Sequence, residues 1–165
     1  MEQELYLCKI NNEYLKYLHS IDYRVSVKYN NRPFVGVVTM INNIKYVIPL
    51  TSQTTTERAK AGKSKRAARI TTFVRDTAGN EIANLLHNNM IPVLDTVYEK
   101  EELDAAVDTY EANEVRFIRK NKEKIIQKAK KVHDDRVATT DAFLNKTCCD
   151  FEKLEKLYTS FNKNK

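Results

Sequence analysis

Between Phe34 and Ser52 the chain reads FVGVVTMINNIKYVIPLTS, and no other stretch constrains the fold as much. Two apolar runs, Phe34 to Ile41 and Tyr46 to Leu50, flank Asn42-Asn43, a polar dipeptide suited to a tight turn. An antiparallel hairpin is the expected result. Pro49 has no amide proton to give to a ladder, so the second strand is expected to stop there and to release Leu50, Thr51 and Ser52 into a loop. Two hydroxyls then stand where a rigid sheet hands over to a flexible segment, a place where a side chain is held firmly and still meets a ligand. Directly downstream, seven Lys or Arg and no Asp or Glu lie between Arg58 and Arg75. A polyanion is the partner such a segment implies.

A chain of 165 residues is long enough to bury roughly two-thirds of its unfolded surface around a single core. With three Gly and three Pro and no low-complexity tract, no linker is visible, and residues 1–165 read as one domain. The first residues lack the basic-then-apolar pattern of a leader, and no apolar run is of bilayer length. A soluble, cytoplasmic protein without a membrane partner is expected. Cys8, Cys148 and Cys149 are odd in number and two are adjacent, which disfavours disulfides and reads as reduced structural thiols. His19, His87 and His133 fall in no metal-ligand spacing, so no metal or other cofactor is implied, and His87, in the polar turn LLHNNMIP, is expected on the surface.

In chain order, residues 4–10 alternate like a first strand, and Asn11-Asn12 cap a helix in which Leu15 and Leu18 share the buried face while Tyr14, Lys16 and Tyr17 point elsewhere. Tyr14, Tyr17, Tyr23 and Tyr29 precede the hairpin together with Arg24, Lys28 and Arg32. Rings interleaved with cations suit single-stranded RNA, whose bases stack while its phosphates meet the charges; the alternative for any one tyrosine is a core position with a satisfied hydroxyl. QTTTERAKAGKSKRA reads as a mobile loop over the site, with Lys60, Lys63, Lys65, Arg66 and Arg69 as RNA-binding cations. ITTFVRD rejoins the sheet, and further strands run to about Tyr98. From Glu101 helical spacing takes over in a long segment, with a break expected near Ala112-Asn113. Between Arg116 and Lys131 eight cations face one acid, Glu123. Such a run is either a solvated face or, beside the first cluster, part of a shared anion-binding surface that includes Arg116, Arg119 and Lys120. A last helix, from about Asp150 to Phe161, packs on the sheet.

No nucleophile elbow, P-loop, dinucleotide fingerprint or two-metal carboxylate cluster is present. What remains is metal-free RNA cleavage, in which the substrate's own 2'-OH attacks phosphorus and the protein supplies positioning and donors. Thr51, Ser52 and a cation such as Arg32 or Lys28 fit those roles; Thr-Ser at a strand end is also ordinary turn capping. A non-catalytic RNA-binding module would use the same tyrosines and cations, and a scaffold binding an acidic protein would use the basic helix.

The series KINNEYLKYLHSID, KYNNRPFVGVV, NIKYVIPLTS and NNMIPV resembles the ToxN/AbiQ family of type III toxin–antitoxin systems. The resemblance implies an α+β fold: a compact antiparallel, barrel-like sheet similar to the MazF/Kid toxins, with added helices and a long C-terminal helical segment. It also implies an endoribonuclease toxin that leaves 2',3'-cyclic phosphate and 5'-OH ends on cellular or phage mRNA, in a phage-defence or abortive-infection role. Its inhibitor would be a repeat antitoxin RNA that it also processes, held in a closed cyclic protein–RNA assembly. On these motifs Thr51 and Ser52 fall on the active-site hydroxyl pair, Tyr14 and Tyr29 on the motif tyrosines, and Arg32 where some members have a lysine. Gln53 and Thr54 stand where a basic residue follows the pair in the family, leaving Lys60 or Lys63 on the loop to replace it.

Overall fold

The computed structural model of the protein describes residues 5–27, 34–101 and 110–161. Asn42 and Asn43 both adopt left-handed backbone, φ 49° and 68°, and so close a two-residue turn whose twist matches that of the strands it joins. Strand β1 is Tyr6–Ile10, and the hairpin strands are β2, Phe34–Ile41, and β3, Ile44–Thr51. Pairing runs from Ile41↔Ile44 to Gly36↔Pro49. A Cβ at Gly36 would lie 2.3 Å from Val47 Cγ1 and 2.8 Å from the Ile48 carbonyl, so the close approach opposite the proline requires glycine. The expected end of the strand at Pro49 is corrected: the strand changes partner there and continues. Strand β5, Glu81–Leu86, takes over with Leu50↔Leu85 and Thr51↔Asn84, which holds the Thr51 backbone in a ladder.

With β4 (Thr71–Arg75), β6 (Ile91–Pro92) and β7 (Tyr98–Lys100), the antiparallel sheet runs β4-β5-β3-β2-β1-β7, and β6 also pairs with β3. Among the described residues the sheet does not close into a barrel, since β4 and β7 form its two edges. An antiparallel sheet with added helices stands; the closed, barrel-like core does not.

Helix α1, Asn12–Ile21, begins at Asn11, whose side chain accepts the Tyr14 amide. It buries Tyr14 together with Leu15 and Leu18. The segment expected to be a mobile loop contains α2, Thr55–Lys60, capped by the Thr54 hydroxyl on the Glu57 amide. Helices α3 (Tyr110–Lys120) and α4 (Lys122–Val137) meet at Asn121, not at Ala112-Asn113, which lie inside α3. Asn121 takes φ −109° and ψ 18°, off helical values, and its side chain donates to the Phe117 carbonyl at 2.9 Å. Val107, part of the expected periodicity, lies outside the described residues.

On α4, Ile125, Ala129, Val132, His133 and Arg136 face inward, and α5 (Ala142–Thr147) and α6 (Phe151–Leu157) complete that layer. Phe151 and Leu154 are fully buried, at about 1.5–3 kcal/mol each. Phe151 stacks on His133 at 5.4 Å and meets Tyr46 edge-on at 6.0 Å. The expected surface position of His87 is also corrected. The 3-10 turn His87–Asn89 packs against β3 and α4, the imidazole is fully buried, and its Nε2 lies 2.8 Å from Thr72 Oγ1. All three cysteines are free and buried. Among the described residues no helix is long and apolar enough to cross a membrane.

Candidate active site

Directly paired residues on neighbouring strands project from the same face of a sheet. Thr51↔Asn84 and Asn84↔Phe73 therefore set a threonine, an asparagine and a phenylalanine in one row across β3, β5 and β4. Thr51 Oγ1 accepts the Gln53 amide at 3.1 Å, which fixes the turn out of the strand. Ser52, the residue between them, is exposed, and its hydroxyl has no hydrogen-bond partner among the described residues. Asn84 is fully buried.

The cover over this row is built by α2. Gly62, at φ 75°, takes the left-handed position after the helix, and the Lys63 amide returns to the Arg58 carbonyl at 2.8 Å. The chain is thereby turned back across the sheet. Lys65 Nζ comes 4.9 Å from the centre of the Phe73 ring. Arg66 Nη1 donates to the Gln53 carbonyl at 2.9 Å and to Asn84 Oδ1 at 3.3 Å, and its Nη2 donates to Gln53 Oε1 at 3.0 Å. Asn84 Nδ2 in turn donates to Glu81 Oε2 at 2.8 Å, and that oxygen also accepts the Thr55 amide at 2.7 Å. Burial works against the Glu81 carboxylate, but these hydrogen bonds from Asn84 and Thr55 hold its pKa below the usual carboxylate value. Burial and the neighbouring Arg58 charge lower the pKa of Arg66.

Beside the row, between β4 and helices α3 and α4, lies a groove of about 730 Å³ whose lining includes Phe73, Phe117, Arg75, Lys124, Lys128 and Lys131. Phe73 belongs to both the row and the groove. The two basic stretches thus meet at β4.

The sequence candidates divide. Thr51, Ser52, Lys65 and Arg66 come together. Lys60 and Lys63 are exposed on the cover, Lys60 beside Glu57 at 3.5 Å. Arg69 is ion-paired to Asp141 and lies 5.8 Å from the Phe143 ring, tying the start of β4 to α5. Arg116, Arg119 and Lys120 are exposed on α3 and do not line the groove. Tyr14 is corrected. Its ring is fully buried and its hydroxyl donates to the Pro92 carbonyl, so it offers no face to a base. Lys28, Tyr29 and Arg32 lie outside the described residues.

Gln53, Phe73, Glu81 and Asn84 are the residues the sequence reading missed. Asn84 alone left a signal, as a polar residue inside the apolar run IANLL. Among the described residues no group of three His, Cys, Asp or Glu could hold a metal ion.

A family model described as toxin ToxN of type III toxin–antitoxin systems matches residues 6–159. The chain belongs to the ToxN family. It is 31% identical over 160 residues to the endoribonuclease AbiQ of Lactococcus lactis subsp. lactis, covering 93% of this chain and 87% of that protein. To the endoribonuclease ToxN of Bacillus thuringiensis subsp. kurstaki it is 29% identical over 161 residues, covering 89% and 79%. The solved structure of AbiQ, described as a lactococcal anti-phage endoribonuclease of a type III system, superposes with a TM-score of 0.82 at 29% identity, over 96% of this chain and 98% of that one. A second structure, from work on selective toxin inhibition by a non-coding RNA pseudoknot, gives 0.78 at 26% identity over 98% and 99%. The residues matched by the ToxN family model, 6–159, span the β3 exit, its cover and the helical layer.

Proposed function

We propose that this protein is the endoribonuclease toxin of a type III toxin–antitoxin system, with cellular or phage mRNA as substrate and a repeat antitoxin RNA as inhibitor and partner. The chemistry in this reading needs no metal. The 2'-hydroxyl next to the scissile phosphate loses its proton, the O2'–P bond forms as the P–O5' bond breaks, and O5' takes up a proton, leaving a 2',3'-cyclic phosphate and a 5'-OH. Ser52 is too weak an acid to act as an ionised nucleophile at neutral pH, so its role is to donate to a phosphate oxygen or to orient the 2'-OH, beside Thr51. Tyr29 and Arg32, carried over from the family resemblance, complete the proposed catalytic set. Lys28, Lys60, Lys63, Lys65, Arg66, Arg69, Arg116, Arg119 and Lys120 are proposed to meet RNA phosphates, and the antitoxin RNA to join several copies in a closed ring.

The observation that carries this reading is the exposed Ser52 hydroxyl at the end of a strand whose backbone is fixed, with a guanidinium held one residue away. The deciding experiment incubates purified protein with labelled RNA in chelator. Discrete fragments with cyclic-phosphate ends are expected, and a 2'-deoxy at the scissile nucleotide is expected to block them. Binding without fragments would make the protein a non-catalytic RNA-binding module, and cleavage of the deoxy substrate at the same position would exclude 2'-OH attack.

A further inference from the structure

Most cations of known geometry in this fold are already committed. Arg24 is paired with Asp22, Lys45 with Asp95, Arg69 with Asp141, and Lys130 and Lys131 with Asp134 and Asp135. Lys128 donates to the Ala68 and Thr71 carbonyls. Arg136 is likewise held by neutral oxygens, those of Cys148 and Asn145, but of these cations only Arg66 bonds to the residue that follows Ser52. It is half-buried, and its three hydrogen bonds go to neutral oxygens of Gln53 and Asn84. Among the described residues no carboxylate lies within ion-pairing distance of it. A guanidinium carries five N–H donors, and these bonds leave one on Nε and one on Nη2 without an acceptor among the described residues.

The surroundings hold that charge in place without cancelling it. Gln53, the residue after Ser52, grips the guanidinium through both its carbonyl and its side chain. Asn84, directly opposite Thr51 in the ladder, accepts from Nη1 and is itself oriented by Glu81. Glu81 is thus one residue removed: its carboxylate sets the amide of Asn84 so that a carbonyl oxygen, rather than an anion, faces the arginine. Burial, and after it the charge of a second guanidinium, Arg58, which is held by the Ser64 carbonyl at 2.7 Å, lower the proton affinity of Arg66, and the Glu81 carboxylate offsets part of this. A half-buried guanidinium held by neutral acceptors is relieved by an approaching anion.

We infer that Arg66 is the cation that holds the scissile phosphate beside Thr51 and Ser52, and that Asn84, set by Glu81, is the positioning residue that aims it. The inference rests on the nuclease reading given above and specifies its phosphate site. Arg66 occupies the position beside Gln53 where the sequence places no cation, and it arrives there from thirteen residues downstream. It moves no proton. Its work is to neutralise the charge that gathers on the non-bridging oxygens as the 2'-oxygen closes on phosphorus.

The test uses the full chain and total cellular RNA, with cleavage counted as new 5'-hydroxyl ends under single-turnover conditions at saturating protein. Arg66→Gln is expected to slow cleavage by about a hundredfold to a thousandfold, in the range for loss of a preorganised donor, with RNA affinity lowered far less. Arg66→Ala is expected to regain rate when guanidinium ion is added at millimolar concentration, a rescue that a purely structural arginine would not show. Asn84→Leu, with Arg66 present but unaimed, is expected to lose rate at saturation without losing affinity, and added guanidinium is not expected to restore it. Should Arg66→Gln melt early, Arg66→Lys keeps the charge and the stem but not the fork, and is expected to fold and to cleave slowly. Native rates in Arg66→Gln or Arg66→Lys, or losses confined to affinity, overturn the inference. Ser52→Ala separates the two levels: if it cleaves at the native rate, the nuclease site itself is misplaced, whereas if it fails while Arg66→Gln cleaves normally, only the role of Arg66 falls.

Discussion

Residues 58–75 and residues 116–131 look alike as charge runs, yet the fold uses several of their cations differently. On α4 Lys130 and Lys131 bridge to Asp134 and Asp135 one turn on, at 2.6 and 2.9 Å, and Lys128 closes two carbonyls at the start of β4. Exposed i,i+4 pairs of this kind contribute only a few tenths of a kcal/mol, but they blunt the field of the helix. On the cover, Arg58 and Arg66 are held by carbonyl and amide oxygens, which fix a guanidinium without neutralising it. Density of charge along a sequence therefore says little about where an anion will be met. What the charges are bonded to says much more.

That contrast can be broken most sharply at the hydroxyl beside Arg66. Ser52→Ala is expected to lower RNA cleavage by about a hundredfold to a thousandfold while melting temperature and antitoxin-RNA binding stay near native; undiminished toxicity at equal expression would move the chemistry away from the cover.

The helical side should respond instead through stability and pH. Burial, with a smaller contribution from Lys128, pushes the His87 imidazole down from 6.5 to about 3. Because the folded value lies below the unfolded one, the stability of the neutral ring is complete above pH 6.5 and is lost as pH falls toward 3. A slope of up to about 1.4 kcal/mol per pH unit is expected in that window from urea melts. His87→Gln is expected to flatten it, and an unchanged slope would assign the acid sensitivity elsewhere.

Lys128→Met tests whether the helical charge is structural. Burial lowers the Lys128 pKa, so part of the value of its two hydrogen bonds is offset, and a loss of about 1–2 kcal/mol in stability is expected, with cleavage by the folded fraction near native. A large fall in RNA affinity with no change in stability would show that this lysine serves the ligand.

The smallest effect is in salt dependence. Each phosphate contact on a single strand contributes about 0.7 to the slope of log affinity against log salt. Reversing Lys63 and Lys65 is expected to flatten that slope by roughly this amount per contact, and reversing Lys130 and Lys131 to change it less. Equal slopes for the two pairs would erase the distinction between the stretches.

The hairpin was legible because its determinants are local: two asparagines able to take positive φ, and an apolar run on either side. The Thr51-Ser52 junction was legible for the same reason. Tyr14 was misjudged because spacing put it off the Leu15 and Leu18 face, whereas α1 lies against both the sheet and the C-terminal segment, and Phe161 meets the Tyr14 ring at 5.2 Å. A helix covered from two sides buries a wider arc than period alone suggests. His87 was misjudged because a polar turn usually faces water, and the packing of β3, β4 and α4 around it closes the site. The contacts of Arg66 with Gln53 and Asn84 depend on β3 changing partner at Pro49, a tertiary event with no local signature. The open sheet escaped notice likewise, because closure depends on which strands meet and not on any strand by itself.

The two edges of that sheet carry a consequence for how copies of the chain can associate. An unpaired strand edge is a template on which another chain can extend the sheet. Here β7 is three residues long, and β4 is five, irregular between Val74 and Arg75, with the Thr71 carbonyl already taken by Lys128. Among the described residues neither edge offers a run of free backbone long enough for a neighbour to zip onto. Several copies drawn into one particle would then need a different tether, which in the proposed system is the RNA itself.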